Sequence, residues 1–218
     1  RIDVSGERGG GKVLVGGNFH GAGPEANAAR VYVAAGSTIN ADATGKGDGG
    51  RVAIWSDDAT WFYGNVSARG GSQGGNGGFV ETSGKNRLVV RGSVDTSATK
   101  GSYGSWLLDP TNIEVKAGGE VGVTLTEVDA FADTDVSDTW NQIDNALINA
   151  AGSNVLLQAT NNITFTDAIS IAAAGVGLTA QAGNSIAVNA GIATNSRTVT
   201  LSANDPGGTR VASGSITG

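Results

Sequence analysis

The sequence predicts an all-β fold of stacked repeats with one short amphipathic helix set among them. A block of about 27 residues recurs, each copy opening a strand after a glycine-rich turn: Gly49-Gly50-Arg51-Val52-Ala53-Ile54-Trp55, Gly77-Gly78-Phe79-Val80-Glu81-Thr82 and Gly104-Ser105-Trp106-Leu107-Leu108. Taken from Arg51, Phe79 and Trp106, the steps are 28 and 27 residues. A second landmark keeps the same step, the apolar residues Ile39, Val66 and Val94 in short Ser/Thr/Asn/Ala strands. One such unit cannot bury its own apolar face, so copies must stack on one another.

Composition narrows the class further. Glycine is 36 of 218 residues, yet prolines number 3 and no Gly-X-Y register exists, which excludes collagen. Charged residues make up 16%, and the stretches between glycine turns are rich in Val, Ile and Thr, so the chain can bury apolar surface. Without cysteine there is neither a disulfide framework nor a thiolate metal site, and no cofactor is expected. A chain that crosses an outer membrane unfolded is also well served by lacking cysteine. The net charge of −6 argues against a nucleic-acid partner held through phosphates. No apolar run is long enough for a membrane-spanning helix. The chain opens at Arg1 and contains no methionine, which reads as a processed or excised piece of a longer protein.

The elements follow in order. Residues 1–111 read as glycine-rich repeats, starting with a strand at Lys12-Val13-Leu14-Val15 behind its own glycine preface. From Lys12 to Arg51 the step is 39, and the surplus falls in a polar Gly/Pro segment, 18–27, that reads as a protruding loop. Alternation of apolar and small polar residues places further strands at 30–34, 38–41, 51–55, 60–63, 65–68, 79–82, 87–91 and 93–96. Three strands per repeat suggest a three-sided coil. Residues 112–153 form a junction in which Trp140, Ile143, Leu147, Ile148 and Ala151 share a face at helical spacing, predicting a helix over about 138–151. In residues 154–218 a repeat of about 22 takes over, with Gln158-Ala159-Thr160-Asn161-Asn162-Ile163 echoed at Gln181-Ala182-Gly183-Asn184-Ser185-Ile186 and again from Ser202.

Several strings together resemble one family: Lys12-Val13-Leu14-Val15-Gly16-Gly17-Asn18-Phe19-His20-Gly21, Val52-Ala53-Ile54-Trp55-Ser56-Asp57, Phe62-Tyr63-Gly64-Asn65-Val66, Gly77-Gly78-Phe79-Val80-Glu81 and Leu107-Leu108-Asp109-Pro110-Thr111-Asn112-Ile113. They resemble the glycine-rich β-helix of filamentous-haemagglutinin-like exoproteins of two-partner secretion systems in Gram-negative bacteria. The resemblance implies a right-handed parallel β-helix, exported through an outer-membrane barrel and displayed or released as an adhesin or fibre. That family's secretion domain carries Asn-Pro-Asn-type motifs, and no Asn-Pro occurs here, so the piece reads as downstream shaft.

Candidate chemistry is sparse. Gly45-Lys46-Gly47-Asp48-Gly49-Gly50 matches a dinucleotide fingerprint in letters, but that motif needs a helix after its last glycine, and a strand follows. Aspartates at 129, 133, 135 and 138 lack the glycine and terminal glutamate of a calcium loop, so no metal ligands are expected. Asp57-Asp58 is the nearest thing to a glycosidase carboxylate pair, and the only histidine, His20, lies in the inserted loop. The expectation is no catalytic residue. The binding candidates are Trp55, Trp61 and Tyr63: alternation puts Trp61 and Tyr63 on one strand face, where rings could stack on a glycan or a partner. Otherwise these rings cover a corner or lie beneath the inserted loop. The reading is a non-enzymatic shaft or filament segment at the bacterial surface. Its expected partners are further copies end to end, the secretion barrel during export, and a glycan or host surface. The alternatives are a carbohydrate-binding module and a polysaccharide-degrading enzyme.

Overall fold

The computed structural model describes residues 1–119, 141–207 and 214–218, and these are all-β, in parallel sheets with almost no helix. One sheet has seven strands, in the order Lys12–Val15, Arg51–Ser56, Phe79–Gly84, Ser105–Leu108, Asn154–Ala159, Leu178–Ala182 and Val199–Ala203. A three-stranded sheet is formed by Arg30–Val33, Ala59–Phe62 and Arg87–Val90, and a four-stranded one by Ile2–Asp3, Thr38–Asn40, Asn65–Ser67 and Ser93–Asp95. Each early repeat thus gives one strand to each of three sheets, and every pair is parallel.

The register follows the sequence columns. Ile39 pairs with Val66 and Val66 with Val94; Lys12 pairs with Arg51; Gln158 pairs with Gln181 and Gln181 with Ser202. One column is displaced: Phe79 pairs with Ser105, so the third copy opens at Ser105 and not at Trp106. The reason is facing. Phe79 points away from the core, whereas Trp106 points into it, stacks above Val80 and donates its indole N–H to the Thr82 hydroxyl at 2.9 Å. Aromatic character does not decide the match; the inward or outward position does.

Apolar side chains of alternate positions, from Val13 and Val52 through Val80, Leu108 and Leu157 to Ile186, form one continuous core inside the sheets. Polar side chains one repeat apart link the corners. Arg69 clamps Asp42 with its guanidinium at 2.7 and 3.1 Å and its backbone N–H at 2.7 Å. Burial alone would raise the Asp42 pKa, but these bonds hold it below its ordinary 3.8. A carboxyl depressed on folding stabilises the protein above its unfolded pKa, and that contribution disappears as acid lowers pH through the folded value. Half of the Arg69 side chain is exposed, so Asp42→Asn is expected to cost only about 0.5 kcal/mol at pH 7. That loss should shrink as pH is lowered below the ordinary carboxylate range, which paired denaturation curves over a pH series would check.

The expected helix over about 138–151 is corrected. Residues 138–140 lie outside the described residues; Asn141–Asp144 is a strand, and the helix is only Asn145–Asn149, capped by the Asp144 carboxylate on the Ala146 N–H. Helical spacing loses to sheet pairing, because Asn141–Asp144 finds a full partner in Ile113–Lys116 and buries Ile143. The result is a reversal of strand order in the five-stranded sheet: Asn141–Asp144, Ile113–Lys116, Ile163–Phe165, Ile186–Val188, Ile216–Thr217. The chain places its later strand next to Arg87–Val90, beneath the strand it has already made. The short helix then stands beside Ile169–Ile171, which pairs with Ile192–Thr194; Asn149 accepts the Ser170 N–H, and Ile148 enters the core.

Candidate functional site

The inserted segment, 18–27, stands exposed over residues 22–26, as the expected loop would, but its first turn lies on the body. Its base is closed by the Ala28 N–H on the Gly16 carbonyl at 2.5 Å, and it folds back over the outer face of the seven-stranded sheet. Asn18 caps a single 3-10 turn, Phe19–Gly21, by accepting the Phe19 N–H. Three contacts seat the turn. Phe19 meets Phe79 at 5.5 Å between ring centroids, the Arg51 guanidinium lies 4.4 Å from the Phe19 ring, and Gly21 lies against the Trp55 indole. A Cβ on Gly21 would come within 2.5 Å of the indole nitrogen, so only glycine permits this approach. Asn27 ties the far side of the loop by donating to the Gly21 carbonyl and the Asp57 carboxylate, both at 2.9 Å.

Alternation along Phe79–Gly84 turns Val80 inward and Glu81 outward, beneath the loop. The Glu81 side chain is wholly buried. His20 sits above it in the left-handed region (φ 56°), and its backbone N–H reaches both Glu81 oxygens at 3.2 and 3.1 Å. The His20 ring turns to Asp109, with Nδ1 3.2 Å from Oδ2, and the Asp109 N–H is held by the Ser83 hydroxyl. One ligand atom from each of His20, Glu81 and Asp109 lies within 4.8 Å of the other two. Burial pushes the Glu81 carboxyl above its ordinary pKa, and the Asp109 carboxylate, by accepting a hydrogen bond from the protonated ring, raises that of His20. Open cavities of about 360 and 320 Å³ share His20 and Asp109 in their walls. The first continues past Gln158, Gln181 and Asp205, the second past Trp55, Lys85 and Thr111.

The candidates read from sequence are not brought together. Trp55 lies under the loop at 6% exposure, while Trp61, at 3%, belongs to a separate cluster with Ala59 and Val89 on the three-stranded sheet. Tyr63 packs partly buried against that cluster, its ring 5.5 Å from that of Tyr32. A sugar could stack on Trp61 only by displacing these neighbours. Asp57 and Asp58 are occupied at a corner: Asp57 accepts from Asn27, and Asp58 from Arg30 and Asn86. The acidic stretch from Asp129 to Asp138 lies outside the described residues. What sequence reasoning missed was the combination of His20 with Glu81 and Asp109. The available signals were a lone histidine in an insertion and a glutamate at an outward position of an otherwise buried strand.

Fold and site together define a parallel all-β protein whose inserted loop closes a polar three-residue cluster against its widest sheet. No protein-family model matches the chain, and no curated protein matches it significantly.

Proposed function

We propose that this chain is a segment of a right-handed parallel β-helix, the shaft of a secreted bacterial surface exoprotein of the filamentous-haemagglutinin kind, and that it works mechanically and not as an enzyme. The observation that carries the reading is the seven-stranded parallel sheet, in which equivalent residues pair and, apart from the inserted loop and the junction, neighbouring strands lie one sequence repeat apart. Stacked strands advance about 4.8 Å per repeat, so seven of them span roughly 30 Å. A stack of this kind spaces a distal binding region from the cell and resists proteolysis through continuous pairing. Among the described residues, Lys12–Val15 and Val199–Ala203 are outermost in this sheet, and further repeats or further copies would continue it. Export through an outer-membrane barrel and adhesion to a host surface or glycan belong to the same proposal. Immunogold electron microscopy of producing cells, with antibodies raised against this chain, should label filaments outside the cell along their length. Label confined to the cytoplasm, or on compact particles only, would overturn the proposal.

A further inference from the structure

We propose that His20, Glu81 and Asp109 form a binding site for one first-row divalent cation, of the zinc class, which fastens the inserted loop to the seven-stranded sheet. Glu81 is buried and acidic. A carboxylate with no exposed surface needs compensation, and among the described residues no lysine or arginine forms an ion pair with it. Its hydrogen-bond donor is the His20 backbone N–H, and the charge of a protonated His20 ring offsets only part of the burial penalty. Asp109 brings a second carboxylate to the same place and adds repulsion. A cation between the two acids resolves both problems.

The donor atoms select the ion. With one imidazole nitrogen and two carboxylate oxygens, the set suits zinc and its first-row neighbours, whereas calcium asks for six to eight oxygens and magnesium keeps most of its water. Bonds of about 2.1 Å in a tetrahedron set donors about 3.4 Å apart. The 3.2 Å between His20 Nδ1 and Asp109 Oδ2, and the 4.8 Å limit on the whole set, are compatible with that spacing. Three protein donors leave a position open, and the two cavities that meet at His20 and Asp109 give water, or a small oxygen ligand, access to it. His20 comes from the loop, whereas Glu81 and Asp109 belong to the sheet side, so the ion would join segments 61 and 89 residues apart in sequence. It would act as this cysteine-free chain's substitute for a disulfide.

The test is titration calorimetry of the full chain with zinc chloride, after treatment with EDTA and dialysis. One ion per chain is expected, with a rise in melting temperature, and cobalt(II) should produce visible d–d absorption in the same stoichiometry. His20→Ala and Asp109→Asn are each expected to weaken binding roughly 100-fold or more. Both residues reach solvent, with side chains 52% and 18% exposed, so these variants should fold, as circular dichroism would verify. Absent zinc binding, binding equally tight in His20→Ala, or calcium binding in place of zinc would each overturn the proposal. If Asp109→Asn fails to fold, His20→Ala decides alone. The outcome does not depend on whether the chain is a surface shaft.

Discussion

Gly78→Ala is expected to abolish folding. The glycines that precede the first four strands of the seven-stranded sheet, Gly11, Gly50, Gly78 and Gly104, stand in a column where the chain turns a corner. A Cβ on Gly78 would lie 2.0 Å from the Gly50 carbonyl oxygen, and one on Gly104 would lie 1.9 Å from that of Gly78. Both obstacles are backbone, so no side-chain rotation relieves them. Nor can the backbone retreat, since the Gly78 N–H is held by the Ala68 carbonyl at 2.7 Å and the next residue pairs with Arg51 in a six-residue register. Relief would require breaking the pairing of adjacent repeats, a cost above about 4 kcal/mol and a large share of a domain's stability. Gly191→Ala is the control: nothing lies within 4 Å of its Cβ position, and it should match the parent or gain a few tenths of a kcal/mol. Soluble yield and thermal melts by circular dichroism would show the contrast. A Gly78→Ala protein melting within a few degrees of the parent would refute this account of the corner.

The second large effect is expected at Asn141, where the strand order reverses. Its side chain is wholly buried and takes the place of a missing backbone ladder. Oδ1 accepts the Leu88 N–H at 2.7 Å, and Nδ2 donates to the Asn112 carbonyl at 2.7 Å and more weakly to that of Asn86 at 3.4 Å. Asn141→Ala removes the partner of a buried N–H and of a buried carbonyl at once, at about 1 to 3 kcal/mol each, so a loss of about 3 kcal/mol is expected. Asn141→Asp should be worse. It keeps an acceptor for Leu88 but turns a carboxylate toward two carbonyl oxygens without a proton to donate. Urea denaturation of the three proteins would rank them. An Asn141→Ala midpoint equal to the parent's would show that the amide does not make the joint.

Much of this architecture was legible because it is translational. The step from Ile39 to Val66 to Val94 is visible in the letters, and the structure pairs those residues directly. The same holds for Gln158, Gln181 and Ser202, and for the 39-residue step from Lys12 to Arg51 with its excess in one segment. Legibility failed where similar letters occupy opposite faces. Phe79 and Trp106 invited alignment, but one supports the inserted loop and the other fills the core. It failed again at Asn141–Asp144, whose helical spacing was real but whose partner strand, Ile113–Lys116, outweighed it.

The candidate site was the least legible part. His20 drew notice as the only histidine, and Glu81 and Asp109 stood in strings noted for other reasons, but nothing local connects residues 61 and 89 positions apart. Their meeting depends on the loop folding back, which in turn rests on Gly21 against Trp55 and Phe19 between Arg51 and Phe79. The sequence by itself determined the period, the strands of the repeats outside the junction, the inward columns and the glycine corners, since each follows from two-residue alternation and from backbone too close for a Cβ. Only the tertiary structure decided where the loop lies, in which order the junction strands stack, and that a buried glutamate meets a histidine and an aspartate. Those outcomes are set by contacts between distant segments competing for the same surface, and no local pattern encodes which of them wins.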